Sequence, residues 1–389
     1  MNIKMLNYLK KLFIQKFKLI KIKFYFKPLK RKILIYDENG SKYIISYLNE
    51  NSYQILYTRN EKISLLIIFF CICKFKLSHA GYIDEFIRYA KPKIIMTFID
   101  NNINFYNLKK NFPFKKIFIQ NGLRTAFRDI FFYTHDKNLK NQNYFKNKKL
   151  YVDYMLVWNN YISKLYKDFI CGECIPIGSF RNNMLKKKIL TNNKKILFIS
   201  NYKIIYDKIY TKNEKQLLLN LRDYCIKNKL ELNVLGKNID FAKKEKEYFS
   251  KILSSSFFKF IPGTSERDTY SIASKYNVIV TIESSLGYEM LIRKKKVAFF
   301  NTHENTHPIN TLYFGWPRKK AISGPFWSNK FNQNEIKRIL DYLIAINNEE
   351  WNRIRELNSK NLINLDNNNN KFIQLMKKEG MKDCLNLLN

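Results

Sequence analysis

The sequence predicts an α/β protein of two Rossmann-like, doubly wound domains facing a cleft, and three observations carry that prediction. The chain has 389 residues, enough for two domains of the usual ~100 to 200 residues. Short apolar runs alternate with amphipathic segments from Ile33 to Phe300, the pattern of a mostly parallel sheet covered by helices. A polar, Lys- and Asn-rich stretch at 183–195 interrupts the alternation, which then restarts. Apolar residues make up 46% and aromatics 16%, so two cores can be filled and global disorder is excluded.

Residues 1–32 read as a basic amphipathic leader, with eleven Lys or Arg and no acid. Lysines separate the apolar pairs Leu12-Phe13, Leu19-Ile20 and Phe24-Tyr25, so no run approaches the ~20 apolar residues of a membrane span. A secretory signal also fits poorly, because no uninterrupted apolar region precedes a small-residue cleavage site. Such a segment suits either the surface of anionic lipid or a solvated extension, and both readings stay open.

Residues 33–185 form the expected N-terminal, acceptor-side domain. Its strands are predicted at Ile33–Tyr36, Gln54–Tyr57, Ser64–Phe70, Ile94–Ile99, Ile117–Gln120 and Tyr154–Trp158. The largely apolar run from Ile63 to Cys73 is read as a buried strand rather than a membrane span. A helix is expected over Gly81–Ala90, where Ile83, Phe86, Ile87 and Ala90 recur at helical spacing before Pro92.

Residues 186–365 form the expected C-terminal domain. Strands are predicted at 195–200, 231–235, 257–261, 278–282 and 297–300, with helices near 214–227, 241–253, 269–276 and 285–293. Two more helices follow at 334–345 and 349–357, then the Asn-rich patch Asp366–Asn370, read as a loop opening a tail at 366–389. Two such sheets side by side place a cleft between their carboxyl ends, where ligands of open α/β folds sit.

The formal charge of +38 would attract nucleic acid, anionic lipid or a phosphorylated substrate. Lys, Asn, Ile, Tyr and Phe are also the residues of A/T-rich codons, so composition explains part of that excess. The six cysteines are scattered, which suits a reducing, cytoplasmic compartment better than a disulfide framework. Cys171-Gly-Glu-Cys174 has the spacing of half a zinc site, with no second pair to complete it.

The chemistry is expected at Val278–Phe300, which spells strand, polar turn, helix, strand. Ser284 and Ser285 fall where the helix begins, so hydroxyls, first-turn amides and the helix dipole can meet a phosphate. The plainer alternative is a capping serine with no ligand. Gly287 allows close backbone approach, and Glu289, one turn in, can accept hydrogen bonds from two ribose hydroxyls.

In the first half, Asp100-Asn101 ends one expected strand and Gln120-Asn121-Gly122 ends the next, ahead of Arg124. Asp100 is the favoured base for an acceptor hydroxyl, with Asp37 and Asp129 as competitors and turn capping as the alternative. Asn101, Gln120, Asn121, Gly122, Arg124 and, further on, Arg181 are candidate acceptor or phosphate contacts. Arg128 shares a face with Arg124 if that segment is helical, and Gly178 and Ser179 sit with Arg181 at the interdomain turn. His303 and His307 follow the last strand and are candidate donor contacts.

The strand-turn-helix resembles the donor-binding element of GT-B glycosyltransferases, where a Ser/Thr-rich turn leads to Gly-x-Glu, a basic residue and a strand. Thr281–Glu289 with Lys295–Phe300 is similar to the corresponding segment of bacterial surface carbohydrate biosynthesis proteins. Phe314-Gly-Trp-Pro317, Gly324–Asn329 and Phe118–Arg124 resemble that family's other signatures, in the same order. His307-Pro308 resembles the His-Pro element of GT-B enzymes that use CMP-sialic acid, although here it follows the Ser-rich turn.

The resemblance implies a GT-B glycosyltransferase that moves a sugar from a nucleotide-sugar donor to a growing cell-surface polysaccharide or lipid-linked glycan. No P-loop, GxGxxG, HExxH, GxSxG or Asp-x-Asp element occurs, so a metal-independent reaction with no cofactor beyond the donor is expected. Expected partners are the nucleotide sugar, the glycan acceptor and an anionic membrane surface met from the cytoplasmic side. A polyol-phosphate transferase or sugar-nucleotide epimerase of the same fold is the enzymatic alternative. A non-enzymatic basic nucleic-acid-binding protein is the alternative from another class, although no RNA-binding signature accompanies the charge.

Overall fold

The structure is a computed structural model that describes residues 22–108, 113–123, 150–185, 194–202, 208–237, 239, 241–264, 266–302, 313–315 and 321–386. Two six-stranded sheets, parallel in every strand pairing, dominate it. The first contains β2 (Ile33–Tyr36), β3 (Tyr53–Leu56), β5 (Ile94–Thr97), β6 (Lys115–Ile119), β7 (Leu150–Val157) and β8 (Ile170–Pro176) in the order β3-β2-β5-β6-β7-β8. The second contains β9 (Lys195–Ile199), β10 (Glu231–Leu235), β11 (Phe258–Ile261), β12 (Val278–Thr281), β13 (Lys296–Phe300) and β14 (Trp327–Ser328) in the order β11-β10-β9-β12-β13-β14. A separate two-stranded pair joins β1 (Lys23–Tyr25) to β4 (Lys62–Ser64).

The central strands are buried apolar runs, as parallel strands covered on both faces must be. Ile33–Tyr36, Ile94–Thr97 and Val278–Thr281 are buried at every position. In the second sheet the order reverses direction between β9 and β12, and in the first between β2 and β5. Each reversal leaves a crevice at the carboxyl ends of the two strands. The two doubly wound halves expected from the sequence are therefore present.

Two segments, Ser64–Phe70 and the tail, differ from expectation. Ser64–Phe70 is not a strand: Leu65–Cys73 is a helix capped by the Ser64 hydroxyl, which accepts the Ile67 amide. A short, continuous apolar run carries no periodicity to separate the two possibilities, and here the Ser cap decides for the helix. Cys171 and Cys174 lie on β8, where Cys171 is exposed while the Cys174 Sγ packs 3.9 Å from Met155. Facing apart, they do not form the half site their spacing suggested.

The residues read as a tail return to the first sheet. Asn367–Asn369 is a short 3-10 turn and Asn370–Lys378 a helix whose Phe372, Leu375 and Met376 pack with Ile33, Ile94 and Phe180. Asn369 is fully buried and accepts from Asn183 while donating to the Phe180 carbonyl and the Tyr47 hydroxyl. The Asn-rich patch is thus a hydrogen-bonded joint, because a buried amide must be satisfied at each of its atoms.

Lys295, just ahead of β13, is buried, and its Nζ has no hydrogen-bond partner among the described residues. Burial lowers its pKa from 10.5. The unfolded chain then binds that proton more tightly, so stability rises with pH from the lowered folded value up to the ordinary lysine value. Lys295→Met is expected to raise stability at neutral pH by about 1 kcal/mol or more. Thermal melts at neutral and alkaline pH check this: the variant's gain should shrink as pH rises.

Candidate functional site

A cavity of about 430 Å³ opens at the β9/β12 crevice and is lined from both halves of the chain. Its size falls in the range of small-ligand sites, ~300 to 1,000 Å³. The turns after the second sheet's strands supply Ser200 and Asn201, Gly236 and Lys237, Thr264, and Glu283 with Ser284 and Ser285. The first half contributes Arg181.

The helix Ser285–Ile292 begins at this cavity. The Ser284 hydroxyl caps it by accepting the Leu286 amide at 3.3 Å, and the Ser284 amide donates to Thr281 Oγ1 at 3.2 Å. The Ser285 Oγ accepts the Leu123 amide at 2.9 Å, tying the helix to the turn after β6. Both serines therefore have structural duties, and both still line the cavity at the positive end of the helix. Gly287 serves packing instead of ligand approach, since an added Cβ would sit 2.5 Å from Thr281 Cγ2. That corrects the role read for it from sequence.

Glu289 lines the cavity but is only 1% exposed. It accepts the Ser179 hydroxyl from the first half and is hydrogen-bonded to Tyr270. Burial, with the Glu289 carboxylate beside it, holds the Tyr270 phenol well above its usual pKa, so the phenol keeps its proton and donates.

Arg181 sits in the short helix Phe180–Asn183, capped by Ser179. One of its guanidinium nitrogens donates to the Asn121 carbonyl, and the plane lies 5.6 Å from the Phe98 ring centroid and 5.9 Å from that of Tyr43. Aromatic stacking and the carbonyl fix a planar cation at the cavity wall.

Asp100 stands elsewhere. It is 1% exposed and absent from the cavity wall, with Oδ1 accepting the Asn121 amide at 3.3 Å and Oδ2 accepting the Tyr166 hydroxyl at 2.5 Å. It braces the turn that carries Asn121, Gly122 and Leu123. Gln120 braces the same turn, donating to the Gly122 carbonyl at 2.8 Å and accepting the Trp158 amide at 2.8 Å. Asn101 is half-buried beside Asp100 and does not line the cavity. Asp37 is occupied by the Asn39 amide, Thr58 and Arg59. His303, His307, Arg124, Arg128 and Asp129, like residues 1–21 of the leader and Trp316-Pro317, lie outside the described residues.

Several cavity residues escaped sequence reading. Ser200 and Asn201 follow β9, Lys237 follows β10 and Thr264 follows β11. Their signal was positional: each is a polar residue within three positions of the end of an apolar strand. The buried carboxylate of Glu245 links two of these turns, accepting the Ser200 hydroxyl and the Lys237 amide. Asn201 donates to Glu283 at 2.8 Å across the crevice. The wall thus offers a helix N-terminus and two cations for an anion, with Glu283 and Glu289 as acceptors for hydroxyls.

A family model described as "putative O-antigen biosynthesis protein" matches residues 117–380. No curated protein sequence matches the chain. Among solved structures, Staphylococcus aureus MnaA with UDP is similar at 12% identity and a TM-score of 0.52, covering 91% of this chain and 98% of that one. Methanocaldococcus jannaschii UDP-GlcNAc 2-epimerase with UDP-GlcNAc and UDP is similar at 13% identity and 0.52, covering 89% and 99%. The wall teichoic acid polymerase TagF with CDPG is similar at 13% identity and 0.54, covering 91% and 90%. At these identities the likeness establishes the two-domain GT-B fold.

Proposed function

The chain belongs to this O-antigen biosynthesis protein family, and from that premise we propose that it is a glycosyltransferase using a nucleotide-sugar donor. One observation carries the reading. The cavity at the β9/β12 crevice joins a helix N-terminus, Arg181 and Lys237 to two carboxylates, which is the chemistry a sugar linked to a nucleoside diphosphate requires. Solved structures of the same fold hold UDP, UDP-GlcNAc or CDPG, and this ligand class is carried to the present chain.

In the proposed reaction the diphosphate lies at the start of the helix Ser285–Ile292, with Arg181 neutralising charge as the sugar–phosphate bond breaks. Glu289, whose place one turn into the helix suggested ribose, is already bonded to Ser179 and Tyr270, and a ribose hydroxyl would share it with them. Glu283 fits the base that takes the acceptor proton, because it lines the cavity and is half-buried. Asp100 enters as a positioning residue for the 120–123 turn. The acceptor is a growing surface polysaccharide or lipid-linked glycan, in keeping with the family's description.

The test is a thermal-shift screen of CMP, UDP, GDP and dTDP sugars, repeated on Ser285→Ala and Glu289→Ala, then product analysis with the stabilising donor. Stabilisation of the wild type that both variants diminish, followed by a glycoside and free nucleotide, is expected. A phosphodiester product would assign a polyol-phosphate transferase, and an altered sugar nucleotide formed without acceptor would assign an epimerase.

A further inference from the structure

The helix Leu65–Cys73 has an apolar side that stays about half exposed, where Ile72 shares a cavity wall with Leu77, His79 and Tyr82. Ile67 and Cys71 are buried, whereas Leu65, Phe69 and Ile72 are exposed. Their i, i+4, i+7 spacing puts the exposed three on one stripe. Phe75, 91% exposed, and Leu77, 76% exposed, continue it past the helix end. At its head, the Phe26 carbonyl accepts the Leu66 amide at 2.9 Å, which ties the segment carrying the exposed Phe26 to the start of the helix. Contiguous exposed apolar surface of this kind marks an interaction site.

The charge around the stripe is predominantly positive. The two segments that build it, 22–32 and 62–77, contain eight Lys or Arg and no Asp or Glu. The Glu85 carboxylate of the adjoining helix His79–Ala90 takes Lys74 and Lys76 at 2.6 Å each, with Arg88 at 3.6 Å. One negative charge shared by three cations leaves the rim positive. A second copy of the chain would meet this face with the same charge and be repelled. An anionic surface with an apolar layer beneath it complements both features.

We propose that the Leu65–Leu77 face, with Phe26, docks the protein on an anionic lipid bilayer, the apolar stripe entering the headgroup region and the lysines meeting lipid phosphates. No described helix is long and apolar enough to cross a membrane, so the contact is interfacial. This assignment is independent of the donor cavity and stands or falls without it.

The test is flotation of the full chain with vesicles of phosphatidylcholine alone or with added phosphatidylglycerol. The wild type should bind the anionic vesicles, and less so as salt rises. Phe69→Glu with Ile72→Glu should lower partitioning by roughly tenfold or more. Phe75→Ser, at a position with almost no packing to lose, should lower it with an unchanged melting profile. Wild type that ignores anionic vesicles, or variants that float like the wild type because the basic segments suffice, would overturn the proposal. So would a lipid-free dimer in sedimentation that the same variants dissolve.

Discussion

Arg181→Ala is expected to weaken binding of a nucleoside diphosphate by roughly 10- to 100-fold, the loss of one charge-assisted contact of about 1.5–3 kcal/mol. The residue reaches the cavity from the first half of the chain, while the helix N-terminus and Lys237 come from the second. Its guanidinium is held over Phe98 and Tyr43 and bonded to the Asn121 carbonyl, so little ordering remains to be lost when an anion arrives. Arg181→Lys keeps the charge without the planar fork and should recover only part of the affinity. Titration calorimetry with UDP and CDP reads both variants. Equal affinity for wild type and Arg181→Ala would remove the first half of the chain from donor binding.

Gly178→Ala is expected to cost about 3 kcal/mol or more, combining left-handed backbone strain with a steric clash. Gly178 has φ of 81°, and an added Cβ would lie 1.9 Å from the Asn364 carbonyl oxygen. The turn between β8 and Ser179 is pressed there against the chain returning from the second half, as the Gly178–Leu365 bridge and the Asn364 amide on the Trp158 carbonyl also record. Gly380 supplies the control, because its φ of 72° is similar yet nothing lies within 4 Å of its Cβ position. Gly380→Ala should cost only the strain, about 1–2 kcal/mol. Thermal or urea denaturation of the pair separates crowding from conformation, and equal losses would contradict the crossing.

The central parallel strands were legible because a strand covered on both faces is an unbroken apolar run, and Ile33–Tyr36 and Val278–Thr281 are such runs, whereas the edge strands Ile170–Pro176 and Trp327–Ser328 went unread. The helix Leu65–Cys73 was not, because its outer side is as apolar as its inner side. Polar residues that would mark a helical period are missing from it. The return of Asn370–Lys378 to the first sheet was hidden for another reason. Phe372, Leu375 and Met376 do keep helical spacing, but sequence spacing says nothing of which sheet receives them.

The site divides along the same line. Ser284, Ser285 and Glu289 were found from local pattern and family resemblance, since they lie within one turn and helix. Ser200, Asn201, Lys237 and Thr264 come from three separate turns, joined only by the strand order of the second sheet. Asp100 was placed at the right strand end, yet its role depends on Tyr166, which is 66 positions away.

The most direct test is the position of a bound nucleotide, read from crystals of the chain grown with whichever nucleotide sugar stabilises it most. The account predicts the diphosphate at the amino end of the helix Ser285–Ile292, within hydrogen-bonding distance of its first-turn amides and of Arg181. A nucleotide ordered anywhere else, with this crevice holding only solvent, would contradict it.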